Sequence, residues 1–246
     1  MIKNINCRRH ERYKMSEKDI HSVLCDSKID MFCFDADDTL WYDYKYFNGL
    51  KKAFNSIIIN HGLDKAEADI IVKFNLKKYS KGEKGFADAL LRTALDLRIN
   101  TDEIKVLEMA IEAFLKHPIE FLPYSYISLL KLNCHNKILI TQGNRKEQER
   151  KIAMTRIRGF FNRILIVEKK DPGTYKDIFK DLNIRGERVL MFGNSIKNDI
   201  IPAIYNSANA IWLNHSMNVL GRDDTLPANA YQVNGWNEIY KIISNY

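Results

Sequence analysis

Cysteine is scarce in this chain. The 246 residues hold only 4 Cys, at Cys7, Cys25, Cys33 and Cys134. They are widely spaced, with no C-x-x-C pair and no Cys/His cluster of zinc spacing, which excludes a disulfide scaffold and a zinc module. Cys33 lies inside an apolar run and reads as a small core residue; a reduced, cytoplasmic setting is the default. Proline and glycine are also few, 5 and 11, and no Pro/Gly-rich linker, internal repeat or low-complexity segment interrupts the chain. No apolar run approaches the ~18–20 residues of a membrane span, so no membrane partner is expected. Residues 1–20 lack the apolar core of a secretory signal. Arg8, Arg9, Arg12 and Lys14 suggest a transit peptide, but Glu11, Glu17 and Asp19 count against one.

What is present is ordinary for a globular protein: 46% hydrophobic and 28% charged residues. The length suits one large or two modest domains. The formal net charge of +7 permits nucleic acid or an anionic small molecule as partner. No recognisable nucleic-acid-binding motif accompanies it.

Five short apolar runs stand out: Ile29–Phe34, Lys137–Ile140, Ile164–Val167, Val189–Phe192 and Ala210–Leu213. Fully apolar runs of this length fit strands of a parallel sheet covered on both faces. Helical patterns at Arg145–Ile157, Thr174–Leu182 and Lys197–Tyr205 alternate with the later runs. Together they predict βαβ units and a doubly wound α/β fold. Between the first and second runs, from Tyr44 to about Lys116, the pattern is helical throughout, about four helices with no strand. Phe47, Leu50, Phe54, Ile57 and Ile58 keep 3.6-residue spacing, as do Ile104, Leu107, Ile111, Phe114 and Leu115. Thr101 is the expected N-cap of the last of these helices, Pro118 marks the far boundary, and Gly62, Gly82 and Gly85 are expected at turns. The expected organisation is an N-terminal extension (1–27), an α/β core (28–43 and 118–246) and an inserted helical domain (44–117).

The first apolar run leads directly into Asp35-Ala-Asp37-Asp38-Thr39-Leu-Trp41. In open α/β sheets ligands bind at the carboxyl ends of strands, so these acids sit where a site belongs. Three clustered carboxylates repel one another unless a cation is present, and Mg²⁺ is the natural hard counter-charge. Taken alone, the same loop would serve as a polar helix cap.

The D-x-D-x-T pattern after an apolar strand resembles the first motif of the haloacid dehalogenase-like phosphohydrolases, with a Rossmann-like core. The resemblance covers roughly residues 28–215. It implies that Asp35 is the nucleophile that attacks phosphorus, and that Asp37 is the general acid/base, with its main-chain carbonyl facing the metal. Asp38 matches no catalytic position and is expected to support the loop. Thr141 would hydrogen-bond a phosphoryl oxygen, and the amides at Gln142 and Gly143 would help cradle it. Gly193-Asn-Ser-Ile-Lys-Asn-Asp199 is similar to the family's G-D-S-x-x-x-D metal motif, with Asn194 replacing the first acid. An amide oxygen still binds Mg²⁺ but brings less charge. The implied metal set is thus Asp35, Asp37, Asn194 and Asp199. The charge-balancing lysine is Lys169 if the general K-P-x-P-x-x-F spacing is followed. It is Lys170 by similarity to D-A-D-D-T-L-W relatives with an E-K-x-P-x-T-Y segment.

Only the gap between Asp37 and Thr141 has room for a cap domain, and its helical content resembles the α-helical C1 cap. Lys73, Lys77, Lys78, Lys81 and Lys84 crowd one stretch of it and read as a solvated face, as does the helix start Arg145–Lys151. Tyr79–Phe86 resembles a cap segment of the same relatives, and Trp41 and Tyr42 are expected at the cap interface. The resemblance implies a Mg²⁺-dependent phosphatase acting on a small-molecule phosphate ester through an aspartyl-phosphate. A phosphomutase would use the same residues. A dehalogenase would not need an acid at Asp37. A receiver domain is about half this length, and a basic nucleic-acid-binding pseudoenzyme lacks a supporting motif.

Overall fold

The computed structural model describes residues 17–24, 26–79, 81–132, 136–215 and 226–244. The basic stretch 1–16 and Cys7, Cys25 and Cys134 lie outside them. In chain order the elements are α1 (Glu17–Leu24), β1 (Met31–Phe34), α2 (Tyr44–Asn60), α3 (Lys65–Leu76), α4 (Glu83–Asp96) and α5 (Thr101–Leu115). There follow α6 (Ser125–Lys131), β2 (Asn136–Gln142), α7 (Arg145–Thr155), β3 (Arg163–Val167) and α8 (Pro172–Asp181). The chain continues with β4 (Val189–Gly193), a single π turn at Ile196–Ile200, α9 (Ile201–Tyr205), β5 (Asn209–Leu213), β6 (Ala230–Val233) and α10 (Trp236–Ile243).

Among the described residues six strands pair in parallel, in the order β3-β2-β1-β4-β5-β6. Strand periodicity explains why the apolar runs carry no polar alternation. Along β1, Phe32 and Phe34 enter one buried cluster while Met31 and Cys33 enter another. The same division sends Leu190 and Phe192 of β4 to the first face and Val189 and Met191 to the second. Side chains two apart share a face, so a sheet covered on both sides needs apolar residues at every position. The first face is covered by α1, α6, α7 and α10 through Val23, Leu129, Ile152 and Trp236, and the second by α8 and α9 through Tyr175, Phe179 and Ala203. Phe34, Phe192 and Trp236 stack in series on the first face, with ring centroids 4.7 and 5.6 Å apart.

Helices α2–α5 are inserted between β1 and β2 and bury a third cluster of their own, around Leu50, Phe54, Ile58, Val72, Leu90, Leu107 and Phe114. The four-helix expectation holds, with three local corrections. Asn100, not Thr101, caps α5: its side chain accepts the Glu103 amide at 3.0 Å. Gly85 lies buried inside α4 rather than at a turn. Ile20, Val23 and Leu24, in the stretch set apart as an extension, join the first core cluster. No helix among the described residues is long and apolar enough to cross a membrane.

The strand order reverses at β1, with β2 on one side and β4 on the other. The loops leaving these strands therefore flank a crevice at the carboxyl edge of the sheet, where doubly wound folds bind ligands.

Candidate active site

Asp35 is the first residue beyond β1. Its amide donates to the Phe192 carbonyl at 2.9 Å, extending the ladder to β4 and fixing where the carboxylate emerges. The loop then closes tightly: Leu40 donates to the Ala36 carbonyl at 2.8 Å, and Asp38 takes the left-handed conformation (φ 55). That strained turn is pinned from outside, by His215 Nε2 on the Asp38 carbonyl (2.6 Å) and by Trp236 Nε1 on the Thr39 carbonyl (2.6 Å). The Asp38 carboxylate accepts the amides of Asp43 and Tyr44 at 2.9 and 3.0 Å, capping the start of α2. This is the supporting role expected of it.

Two charged clusters result. In the first, Lys170 Nζ donates to both Asp35 Oδ1 and Asp199 Oδ1, the latter at 2.7 Å. The three side chains are 3%, 8% and 1% exposed. Thr39 Oγ1 donates to Asp35 Oδ2 at 2.7 Å and lies 3.5 Å from Asn194 Oδ1. Asp199 reaches the cluster because it closes back over Gly193, its Oδ2 accepting the Ser195 amide at 3.0 Å. A Cβ on Gly193 would lie 2.4 Å from Asp199 Cβ and 2.6 Å from Oδ2, so only glycine permits this approach. Two buried carboxylates share one ammonium. Burial and the Asp199 charge push Asp35 up from 3.8 to about 7, against the pull of Lys170 and Thr39. Burial works against the Lys170 charge, but Asp199 and Asp35 outweigh it and hold the ammonium protonated.

The second cluster surrounds Asp37. Its Oδ1 accepts Trp41 Nε1 at 2.8 Å and Lys151 Nζ at 3.0 Å; its Oδ2 accepts Gln148 Nε2 at 2.7 Å. Gln148 bridges onward, its Oε1 accepting the Thr141 hydroxyl at 3.0 Å. Thr141 at the end of β2 is thereby tied to Asp37 beyond β1. Lys151 also meets Asp43 and, at 3.5 Å, Glu83. Burial and the Asp37 charge push Asp43 up to about 8 despite Lys151.

Of the sequence-selected residues, Asp35, Asp199, Asn194 and Lys170 come together, and Asp37 and Thr141 stand beside them. Lys169 does not join them: its side chain is 74% exposed and pairs with Asp171 at 2.6 Å. Of the two lysines only Lys170 reaches the carboxylates. Gln142 is half-buried, and the Gly143 amide donates to the Val167 carbonyl at 3.3 Å, extending the β2–β3 ladder by one rung, so it is engaged there and not in the phosphate cradle expected of it. Lys73, Lys77, Lys78, Lys81 and Lys84 of the helical insertion are exposed as expected. The start of α7 is not a solvated face throughout, because Gln148, Lys151, Ile152 and Thr155 are buried. The spacing of those four positions is that of one helix face, and the polar pair on it was the overlooked signal. Trp41 is fully buried; Tyr42 lines a cavity of about 190 Å³ with Leu122, His215 and Trp236.

The donor set suits a hard divalent cation. Asp35 and Asp199 offer carboxylate oxygens and Asn194 an amide oxygen, and a cation would relieve the repulsion that helps raise Asp35. Among the described residues no group of three His, Cys, Asp or Glu could hold an ion unaided. A cation held here would meet two carboxylates, Asp35 and Asp199, and the Asn194 amide oxygen.

A buried lysine held between two carboxylates stands at the reversal point of this parallel sheet, where doubly wound α/β folds bind their ligands. A sequence profile of the haloacid dehalogenase-like hydrolases matches residues 29–205. The chain belongs to that family. A glyceraldehyde 3-phosphate phosphatase of Pyrococcus furiosus is 26% identical over 200 residues, covering 76% of this chain and 82% of that protein. Its counterpart from Pyrococcus abyssi is 25% identical over 226 residues, 88% of this chain and 94% of that one. In fold, a haloacid dehalogenase-like hydrolase from Xanthomonas campestris superposes with TM-score 0.70 at 24% identity, covering 88% of this chain and 97% of its own.

Proposed function

We propose that the protein is a Mg²⁺-dependent phosphatase that hydrolyses a small phosphorylated metabolite through an aspartyl-phosphate at Asp35. The observation that carries this reading is the buried Asp35–Lys170–Asp199 group at the reversal point of the sheet. The phosphatase names of both curated relatives support it. Asp35 attacks phosphorus in line; the ester P–O bond breaks as the new P–O bond to Asp35 forms. Asp37 gives a proton to the departing oxygen, then takes one from the water that hydrolyses the intermediate. Thr141 holds a phosphoryl oxygen, and Lys170 neutralises part of the phosphoryl charge. Bound by Asp35, Asp199, Asn194 and the Asp37 carbonyl, Mg²⁺ would neutralise the charge that one lysine leaves uncompensated.

The helical unit at 44–117 serves as a cap of the C1 type over the core at 28–43 and 118–246, restricting access to small esters. Sparse cysteine supports a cytoplasmic setting. The test is phosphate release from glyceraldehyde 3-phosphate and a panel of small sugar and alkyl phosphates, with Mg²⁺ or EDTA. The expected result is Mg²⁺-dependent release abolished by Asp35→Asn. Transfer of the phosphoryl group within the substrate, without release, would contradict hydrolysis and favour a mutase.

A further inference from the structure

Lys151 projects from α7, outside the loops at the strand ends, yet three acids from three parts of the chain converge on it. They are Asp37 (3.0 Å) from the loop after β1, Asp43 at the start of α2, and Glu83 (3.5 Å) from α4 of the helical unit. Lys151 and Glu83 are 3% and 4% exposed, so their contact is shielded from water, while Asp43 and Asp37 keep 16% and 23% exposure. The connection to the helical unit is doubled. Arg150 grips both Glu83 oxygens at 3.0 and 2.8 Å. In return, Glu147 of α7 accepts the amides of Glu83 and Lys84 at 3.1 and 3.2 Å, placing a carboxylate at the N-terminus of α4. One turn of α7 therefore holds the helical unit and Asp37 at once.

We infer that Lys151 is a positioning residue for the proposed phosphatase reaction, and that Glu83 makes its grip on Asp37 depend on the helical unit being docked. The inference rests on the phosphatase reading above, in which Asp37 transfers the proton. Lys151 and Gln148 approach Asp37 from one side and Trp41 from its own loop, fixing the carboxylate's rotation. With Glu83 withdrawn, Lys151 keeps only Asp37 and Asp43, and nothing ties their placement to α4. Proton transfer is thus set up when the helical unit is in place.

The experiment compares kcat/KM for an alkyl phosphate, glycerol 3-phosphate, and for p-nitrophenyl phosphate. Both values end at formation of the aspartyl-phosphate. The alkoxide needs a proton from Asp37, whereas nitrophenolate departs without one, so the alkyl-to-aryl ratio reads acid catalysis rather than general damage. Asp37→Asn is expected to lower the ratio by about a hundredfold or more, the usual range of general acid catalysis. Lys151→Met and Glu83→Gln are each expected to lower it roughly tenfold or more. If Lys151→Met melts below assay temperature, Glu83→Gln, which keeps the shape but removes the charge and turns one of the two oxygens gripped by Arg150 into a donor, decides alone. Equal losses on both esters would overturn the inference and leave the cluster a purely structural contact. An unchanged ratio in Asp37→Asn would instead overturn the acid/base reading beneath it, and the inference with it.

Discussion

The placement of Lys170 between Asp35 and Asp199 makes a prediction with two measurable sides. In Lys170→Met the ammonium is lost from a site where its partners are 8% and 1% exposed. Removing one member of a buried ion pair costs about 3–5 kcal/mol, because the remaining charge is left uncompensated. Asp35 has a partial escape. Its pKa already stands near 7 with the lysine present, against 3.8 ordinarily, and removing the lysine moves it higher. A carboxyl whose folded pKa is raised binds a proton that the unfolded chain has released. That contribution to stability is full below about 3.8 and is lost as pH rises through the folded value. The destabilisation by Lys170→Met, measured by urea melts in EDTA, is therefore expected to be larger at pH 8 than at pH 6. Turnover of the best ester is expected to fall by about 10²–10³, the scale of losing one charge-stabilising contact in a transition state. Lys169→Met, which removes an exposed cation paired with Asp171 on the surface, is expected to stay within about twofold of wild type. The reasoning is refuted if Lys169→Met is the inactive variant, or if Lys170→Met costs no more at pH 8 than at pH 6.

Gly193→Ala would push Asp199 out of position, since the added methyl meets its Cβ and carboxylate below 3 Å. The expected result is a loss of about 1–3 kcal/mol in denaturant melts, typical of overpacking, with a fall in activity of tenfold or more. Mg²⁺ at about a hundred times its dissociation constant is expected to stabilise the fold by about 2.7 kcal/mol, seen as a rise in Tm reversed by EDTA. Asp35→Asn should shrink that rise; an undiminished rise would mean that the ion binds elsewhere.

The sequence was most legible where one physical requirement dominated. Five of the six strands are visible as apolar runs because a sheet buried on both faces tolerates no polar alternation. Ala230–Val233 escaped because it is a four-residue outermost strand in which Tyr231 is only partly covered and Gln232 is exposed. The insertion was readable from helical spacing, but its caps were not. Asn100 and Thr101 are both good cap residues, and only the geometry shows which oxygen meets the Glu103 amide. Two adjacent lysines could not be separated by spacing, because consecutive residues of an irregular loop point in directions that only the fold decides. Gln148 and Lys151 were overlooked because charged residues at a helix start are normally solvated. Their burial depends on acids more than sixty residues distant, Asp37, Asp43 and Glu83, which no local pattern connects to them.

The most direct test of the central claim is to trap the phosphorylated protein. A ³²P-labelled ester turned over with Mg²⁺ is quenched in acid within the first turnover, and the labelled peptide is sequenced. The account requires acid-stable, base-labile label on Asp35, and none on the Asp35→Asn protein. Label on another residue, or undiminished phosphate release by Asp35→Asn, would contradict it.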